Sequence, residues 1–330
     1  MSSKEFVKTG DILNNQFKII KLIDSGAYGT VYKCLDTNKK THVAMKVEAN
    51  IINSESKSKI ELDVLKILID KQNVAQLIYS EKKKEYTFIV MNLLGKNLFD
   101  LMNLCGTFKL STIARIGIQL LYGLKNLHDA GFIHRDIKPE NIAIGRGNKM
   151  RKFIYLLDFG LCRRFKDKEN PGKIIPPRTI APFCGTLMFS SLNAQNEKEQ
   201  GRGDDLISLV YVLSDFSNKL PWSSETEENE MRLFKEKFHG KDLFPTDKSL
   251  ADFFDYVKTL KYEDEPNYEK LFQYLNIIIK ENNVKFSDPY EWETILDKAE
   301  KPNVKKSLKR KAKLDDFYTA KKFKNFESFL

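Results

Sequence analysis

Two short stretches hold the residues with the most chemistry in them, His134-Arg135-Asp136-Ile137-Lys138-Pro139-Glu140-Asn141 and Asp158-Phe159-Gly160. Together they supply a base, a cation and two metal-binding side chains. That set suits phosphoryl transfer, which asks little covalent chemistry of a protein. It needs the phosphates positioned, their charge neutralised by magnesium and fixed cations, and a carboxylate that accepts the proton of the attacking hydroxyl. Lys138, two residues after the aspartate, places a cation beside the group in transit. Asp136 and Asp158 are separated by enough chain for two short strands joined by the turn Gly145-Arg146-Gly147-Asn148. Such a hairpin carries both carboxylates into one cleft.

The partners this chemistry requires stand upstream in the required order. Ile23-Asp24-Ser25-Gly26-Ala27-Tyr28-Gly29-Thr30-Val31 reads as a hairpin loop over phosphates, with Gly26 and Gly29 letting backbone amides approach closely. His42-Val43-Ala44-Met45-Lys46 is a strand ending in a lysine suited to the alpha and beta phosphates, and that lysine needs a carboxylate to hold it. Glu61 lies in a segment of helical apolar spacing, Ile60 to Leu68, and is the better candidate; Glu55 is the fallback. A glycine turn or a lysine after a strand is unremarkable by itself. All five parts in one order within about 135 residues are not.

The elements that must position these groups divide the chain. Up to Met91 the pattern is of strands, Phe17 to Ile23, Val31 to Leu35, Val43 to Val47 and Tyr86 to Met91, with one helix between the third and fourth. Residues 1–14 read as an extension, 15–91 as a sheet-rich lobe, 92–97 as a hinge and 98–300 as a helical lobe. Ser111 or Thr112 is expected to cap a long helix with Ile113, Ile116, Leu120, Leu121, Leu124 and Leu127 on one face. Leu206 to Leu213 is apolar nearly all round, as in a helix buried mid-lobe, and Asp205 at its start is placed to hold the catalytic-loop backbone.

Composition sets wider bounds. With 330 residues, 42% of them hydrophobic, the chain can bury one large core or two smaller ones. It has neither an apolar run that would span a membrane nor a basic-then-apolar leader, so a soluble protein of the cytoplasm or nucleus is expected. Cys34, Cys105, Cys162 and Cys184 show no metal-ligand spacing and no disulfide density. The charge is uneven: residues 301–330 hold ten Lys or Arg against three Asp or Glu, leaving only +3 of the net +10 to the rest. This basic tail is a solvated segment or a patch for an acidic partner. Phe317, Phe323, Phe326 and Phe329 interleave with its lysines and offer a docking face instead.

With these motifs in place, residues 15 to 297 resemble the casein kinase 1 superfamily, most closely its tau-tubulin kinase branch. The resemblance rests on Val90-Met91-Asn92-Leu93-Leu94-Gly95-Lys96-Asn97-Leu98, Pro176-Pro177-Arg178, Ser191-Leu192-Asn193-Ala194, Asp204-Asp205-Leu206, Leu220-Pro221-Trp222, Pro266-Asn267-Tyr268 and Tyr290-Glu291-Trp292. It implies an α+β, two-lobed protein kinase fold: an antiparallel sheet with one helix, then a mainly helical lobe, with ATP and magnesium bound between them. It further implies transfer of the gamma-phosphate to serine or threonine of protein substrates. On that analogy Asp136 is the base and Lys138 its cation, Asn141 and Asp158 bind magnesium, and Lys46, paired with Glu61, anchors the phosphates. Ile23, Val31 and Ala44 sandwich the purine, Met91 is the gatekeeper, Asn92 and Leu94 offer backbone groups to the adenine, and Ser25, Gly26 and Gly29 line the phosphate loop.

Three departures matter. Asp24 stands where the first loop glycine belongs, an unfavourable place for a carboxylate unless it points outward. Cys184 and Met188 replace two arginines of the family's activation segment, the second of which helps bind a phosphate on the substrate. Weak preference for primed substrates follows, unless Arg178 or Lys173 compensates. Thr179, near Arg178 and Arg135, is the evident phosphorylatable residue of the segment, although the resembling kinases need no phosphate there. The alternative reading is a pseudokinase scaffold working through its basic tail.

Overall fold

The computed structural model describes residues 6–26, 29–50, 57–223 and 226–299. The fallback Glu55 and the basic tail 301–330 lie outside them. The strands are β1 (Ile12–Leu13), β2 (Phe17–Gly26), β3 (Gly29–Asp36), β4 (Thr41–Ala49), β5 (Leu77–Lys82) and β6 (Tyr86–Asn92), with helix α1 (Lys57–Ile67) between β4 and β5. They form one antiparallel sheet in the order β1-β2-β3-β4-β6-β5. Period-two alternation decides its faces. Val43, Met45 and Val47 of β4 point with Tyr32, Cys34, Phe88 and Val90 into one small core, while the intervening positions face the second lobe. Residues ahead of β2 join that core: Val7 is buried in it, and its carbonyl accepts from the Tyr32 hydroxyl.

The second lobe is helical. It comprises α2 (Leu98–Cys105), α3 (Leu110–Asp129), α4 (Leu192–Gln195), α5 (Arg202–Asn218), α6 (Glu228–Lys237), α7 (Gly240–Leu243), α8 (Lys248–Lys258), α9 (Tyr268–Glu281) and α10 (Glu291–Ala299). Its short strands are β7 (Phe132–Ile133), β8 (Ile142–Ile144), β9 (Ile154–Leu156) and β10 (Arg163–Arg164). The apolar stripe of α3 is buried throughout, and α5 runs through the middle of the lobe with Leu206, Leu209, Val210, Leu213 and Phe216 buried. The curled sheet and the helical lobe make this an α+β two-lobed kinase fold.

The expected cap of α3 is not there. The helix starts at Leu110, and the N-cap position is Lys109, whose side chain makes no capping bond. Glu291 supplies the acceptors instead: its carboxylate takes the Lys109 amide at 2.9 Å and the Thr112 hydroxyl at 2.7 Å. A carboxylate there meets unpaired amides and the positive end of the helix dipole. Its neighbours are fixed as firmly. Tyr290 stacks on Trp292 at 4.5 Å between ring centres, and the buried Arg115 guanidinium lies 3.8 Å over the Tyr290 ring. The Tyr-Glu-Trp motif is thus the far-end clasp of the helix that leads into the catalytic loop.

Candidate active site

The site is assembled from one face of the sheet and two loops of the helical lobe. Val31 pairs with Lys46 and Ala44 with Met91, so directly opposed residues on adjacent strands bring all four to the face turned away from the small core. Ile23 sits at an irregularity of β2 and is largely exposed. Ser25 pairs with Thr30 and Gly26 with Gly29 where the hairpin closes. At Gly29, φ is +118° and a Cβ would lie 2.6 Å from the Val47 carbonyl oxygen, so only glycine fits. In the connector, the Asn92 amide donates to Gln76 O at 3.1 Å, which takes that donor away from a nucleotide. Its carboxamide oxygen accepts the Gln76 amide at 2.7 Å. Leu94, by contrast, has no backbone bond to another described residue.

Lys46, Glu61 and Asp158 meet as a buried triad. The Lys46 ammonium lies 2.7 Å from Glu61 Oε2 and 2.9 Å from Asp158 Oδ1. Burial works against its charge, yet the two carboxylates hold its pKa above the ordinary lysine value. Burial likewise raises Asp158, and here Lys46 wins, keeping that carboxyl below its usual range. The sequence's preferred partner for Lys46 is therefore the one in contact. A Lys–Glu pair between strand and helix, with the second aspartate in place, is the arrangement kinases require for turnover.

The catalytic loop lies between β7 and β8, and β8 pairs antiparallel with β9, so the expected hairpin forms and leads to Asp158. Three side chains converge there. Thr186 Oγ1 donates to Asp136 Oδ1 at 2.8 Å and accepts from Lys138 Nζ at 3.0 Å, while Lys138 lies 3.1 Å from Asp136 Oδ2. Asn141 Nδ2 donates to Asp136 Oδ2 at 3.0 Å and to the Asp136 carbonyl at 2.9 Å, which leaves its Oδ1 as a metal donor. No group of three or more His, Cys, Asp or Glu able to hold a metal ion occurs among the described residues. One carboxylate and one amide oxygen fit magnesium, which keeps waters and takes its other ligands from phosphates.

What holds the loop is buried beneath it. Asp205, 2% exposed, accepts the His134 amide at 2.7 Å and the Arg135 amide at 2.9 Å. Burial raises its pKa, but His128 and the His134 amide outweigh that and hold the carboxyl low. His128 Nε2 is 2.8 Å from the same carboxylate, and its Nδ1 is 2.6 Å from the Tyr268 hydroxyl. The Pro-Asn-Tyr motif thus reaches the catalytic loop through one histidine. Sequence reading named Asp205 and quoted Tyr268 without giving it a role, but missed His128 and the contact at Gly185. At Gly185, φ is +111° and a Cβ would lie 2.4 Å from Arg135 O, so the activation segment touches the catalytic loop backbone to backbone.

The activation segment corrects one expectation. Arg178 is not available to a substrate phosphate: its guanidinium makes two bonds to the buried Glu199, with Nη2 3.0 Å from Oε1, and Arg163 Nε lies 3.1 Å from the same oxygen. Burial opposes the Glu199 charge, but the arginines hold its pKa below the usual value. The anion seat beside Thr179 is filled by a carboxylate, while Arg135 Nε donates to the Leu161 carbonyl. Lys173 lies in a turn bonded to Asp167 and Asn170.

Asp24 is exposed, and its Oδ1 accepts the Ser25 amide at 2.8 Å. One backbone donor of the loop is thereby engaged by a negative charge. Asp24→Gly is expected to lower KM for ATP about threefold at low ionic strength, with less gain at high salt. Equal KM values at low salt would mean the carboxylate does not act on the nucleotide.

A cleft between a small sheet and a helical lobe, holding a lysine–glutamate pair and an aspartate–asparagine–aspartate set, defines a phosphotransferase. Residues 17–288 match the family model described as protein kinase domain, and the chain belongs to that family. A putative serine/threonine-protein kinase of Caenorhabditis elegans is 38% identical over 88% of this chain and 85% of its own length. A probable serine/threonine-protein kinase of Dictyostelium discoideum is 34% identical over 86% of this chain and 58% of its own length. A putative casein kinase I of Caenorhabditis elegans is 33% identical over 88% of this chain and 87% of its own length. Among the described residues no helix is long and apolar enough to cross a membrane.

Proposed function

We propose that this chain is a serine/threonine kinase of the casein kinase 1 superfamily, on its tau-tubulin kinase branch, and that it moves the gamma-phosphate of magnesium ATP to protein hydroxyls. The observation that carries this reading is the triangle of Asp136, Lys138 and Thr186, in which carboxylate and ammonium converge on one hydroxyl oxygen. A substrate hydroxyl brought to the same groups meets a base for its proton and a cation for the charge developing on phosphorus. The oxygen–phosphorus bond to the acceptor forms as the bond to the ADP oxygen breaks, and Asp136 takes the proton. Asn141 and Asp158 would hold magnesium, which when bound neutralises charge on the phosphates. Lys46, oriented by Glu61, would anchor the alpha and beta phosphates.

The superfamily assignment is supported by the relative named as a casein kinase I and by the motifs outside the catalytic centre. Those motifs do structural work around it: Asp205 and Tyr268 hold the catalytic loop, and the Trp222 indole donates to the Met188 carbonyl at 2.8 Å. The basic tail and an acidic partner for it, in cytoplasm or nucleus, belong to the same reading and rest on charge alone. Since Arg178 is committed to Glu199 and Met188 carries no charge, unprimed peptides should be phosphorylated about as well as primed ones. Met188→Arg is expected to raise the primed-to-unprimed ratio of kcat/KM about tenfold. The assay is transfer of labelled gamma-phosphate to matched peptides. A wild type that already prefers primed peptides strongly would overturn the priming argument, and a folded wild type without transfer would overturn the proposed function.

A further inference from the structure

Lys235 of α6 is fully buried, with no carboxylate in ion-pair contact among the described residues. Its ammonium lies 5.3 Å from the centre of the Tyr211 ring and 5.5 Å from that of Trp222. It donates to Leu187 O at 2.6 Å and Ser190 O at 2.8 Å. A methionine would fill such a site without the cost of desolvating an amine. The bonds it makes therefore ask for a reason.

Both carbonyls belong to the turn directly after Thr186, and the Met188 carbonyl between them is the one held by Trp222. Within the turn, the Phe189 and Ser190 amides fold back on Thr186 O at 3.0 and 2.9 Å. Leu187 O also accepts the Ser190 hydroxyl at 3.0 Å within the turn, whereas the Met188 and Ser190 carbonyls are held from outside it, by Trp222 and Lys235. Beside the turn opens a cleft of about 500 Å³ lined by Phe183, Leu187, Gln195, Asn196, Glu197 and Glu228, among others. Thr186, which bonds Asp136, immediately precedes the turn, so an acceptor whose hydroxyl reaches Asp136 lies beside it.

We infer that Lys235 is a positioning residue for the acceptor peptide: its ammonium fixes the turn 187–190 in the shape that seats the peptide beside Asp136. This rests on the kinase reading above. The charge state matters, because an ammonium binds carbonyls more strongly than a neutral amine. Burial pulls the Lys235 pKa down to about 7, opposed weakly by Glu228. The turn, Trp222 and α4 bring no ionisable side chain to it, and Tyr211 of α5 is held neutral by burial. On its own helix, Arg232 is bonded to Glu228 at 3.0 Å. Peptide affinity should therefore fall as pH rises through 7.

The test is the dissociation constant of a fluorescent, uncharged, unprimed serine peptide, measured by anisotropy on the full chain and on Lys235→Met at about pH 6 and about pH 8.5. KM for ATP and thermal unfolding are followed in parallel. At the lower pH the variant should bind peptide about tenfold more weakly, the worth of one hydrogen bond from a charged donor. The wild type should approach the variant at the higher pH, with KM for ATP unchanged and the unfolding temperature not lowered. Equal peptide affinity in the two proteins, or an equal loss towards ATP, overturns the inference. If the variant does not fold, a wild-type peptide affinity that is flat across this pH range does so. A wild type that binds peptide in the Lys235-dependent way but transfers no phosphate would sink the kinase reading and leave this one standing.

Discussion

Asp136→Asn should lower kcat for phosphate transfer by about 10³, the scale of general-base assistance, while KM for ATP and the fold are retained. The side chains are nearly isosteric, and the bonds that fix the loop do not pass through the carboxylate: Asp205 still accepts the His134 and Arg135 amides, and Asn141 still reaches the 136 carbonyl. The carboxylate's own bonds are the difficulty. Oδ2 accepts from Asn141 and faces Lys138, and Oδ1 accepts from Thr186. An amide nitrogen at the first place meets two donors. Flipped to the second, it obliges the Thr186 hydroxyl to find another acceptor. In neither pose is there a base for the incoming proton. The measurement is kcat with labelled ATP, alongside thermal stabilisation by magnesium ATP. Residual activity within about tenfold of the wild type would remove Asp136 from the role of base.

The parts of this site that sequence made legible are those whose chemistry is local in the chain. Asp136, Lys138 and Asn141 lie within one turn of backbone, and the hairpin to Asp158 follows from the glycines between two apolar triplets. Lys46 and Glu61 are a strand and a helix apart, and the apolar spacing around Glu61 was enough to prefer it. The sheet face was legible for the same reason, since alternation along β4 assigns Ala44 and Lys46 to one side. The rest depends on partners that no local pattern connects. Glu291 caps a helix that begins 182 residues before it in the pairing with Lys109. Glu199 takes Arg178 out of the substrate site, although the sequence around 178 reads as an available cation. Ser111 and Thr112 have the chemistry of a cap, and a better-placed carboxylate from the end of the lobe displaces them. Lys235 looks like any lysine on a charged helix until its burial is known. Propensity and motif see neighbours in sequence, whereas these contacts are decided by packing.

Lys46→Met should cost both catalysis and stability, and the two losses can be separated. Without the ammonium, the nucleotide phosphates lose a fixed donor, which by analogy with other lost transition-state donors lowers kcat/KM by at least about 10². Glu61, 2% exposed, and Asp158 then share a buried site with no cation between them. Removing one partner of a buried pair costs about 3–5 kcal/mol if the remaining charge stays ionised. Glu61 has a way out: burial already pushes its carboxyl pKa upward, and Lys46 is the main force opposing that. In the variant it takes up a proton. A carboxyl whose folded pKa lies above its unfolded value destabilises the fold as pH rises from the unfolded value through the folded one. The variant should therefore unfold more easily at neutral than at mildly acidic pH, relative to the wild type. Lys46→Met combined with Glu61→Leu removes the stranded carboxylate, and should recover stability at neutral pH without recovering transfer. Denaturant unfolding at several pH values measures the first effect and labelled-phosphate transfer the second. Return of activity in the double variant would show that Lys46 serves the fold alone; failure of stability to return would show that the triad is not held together by the charges of Lys46 and Glu61.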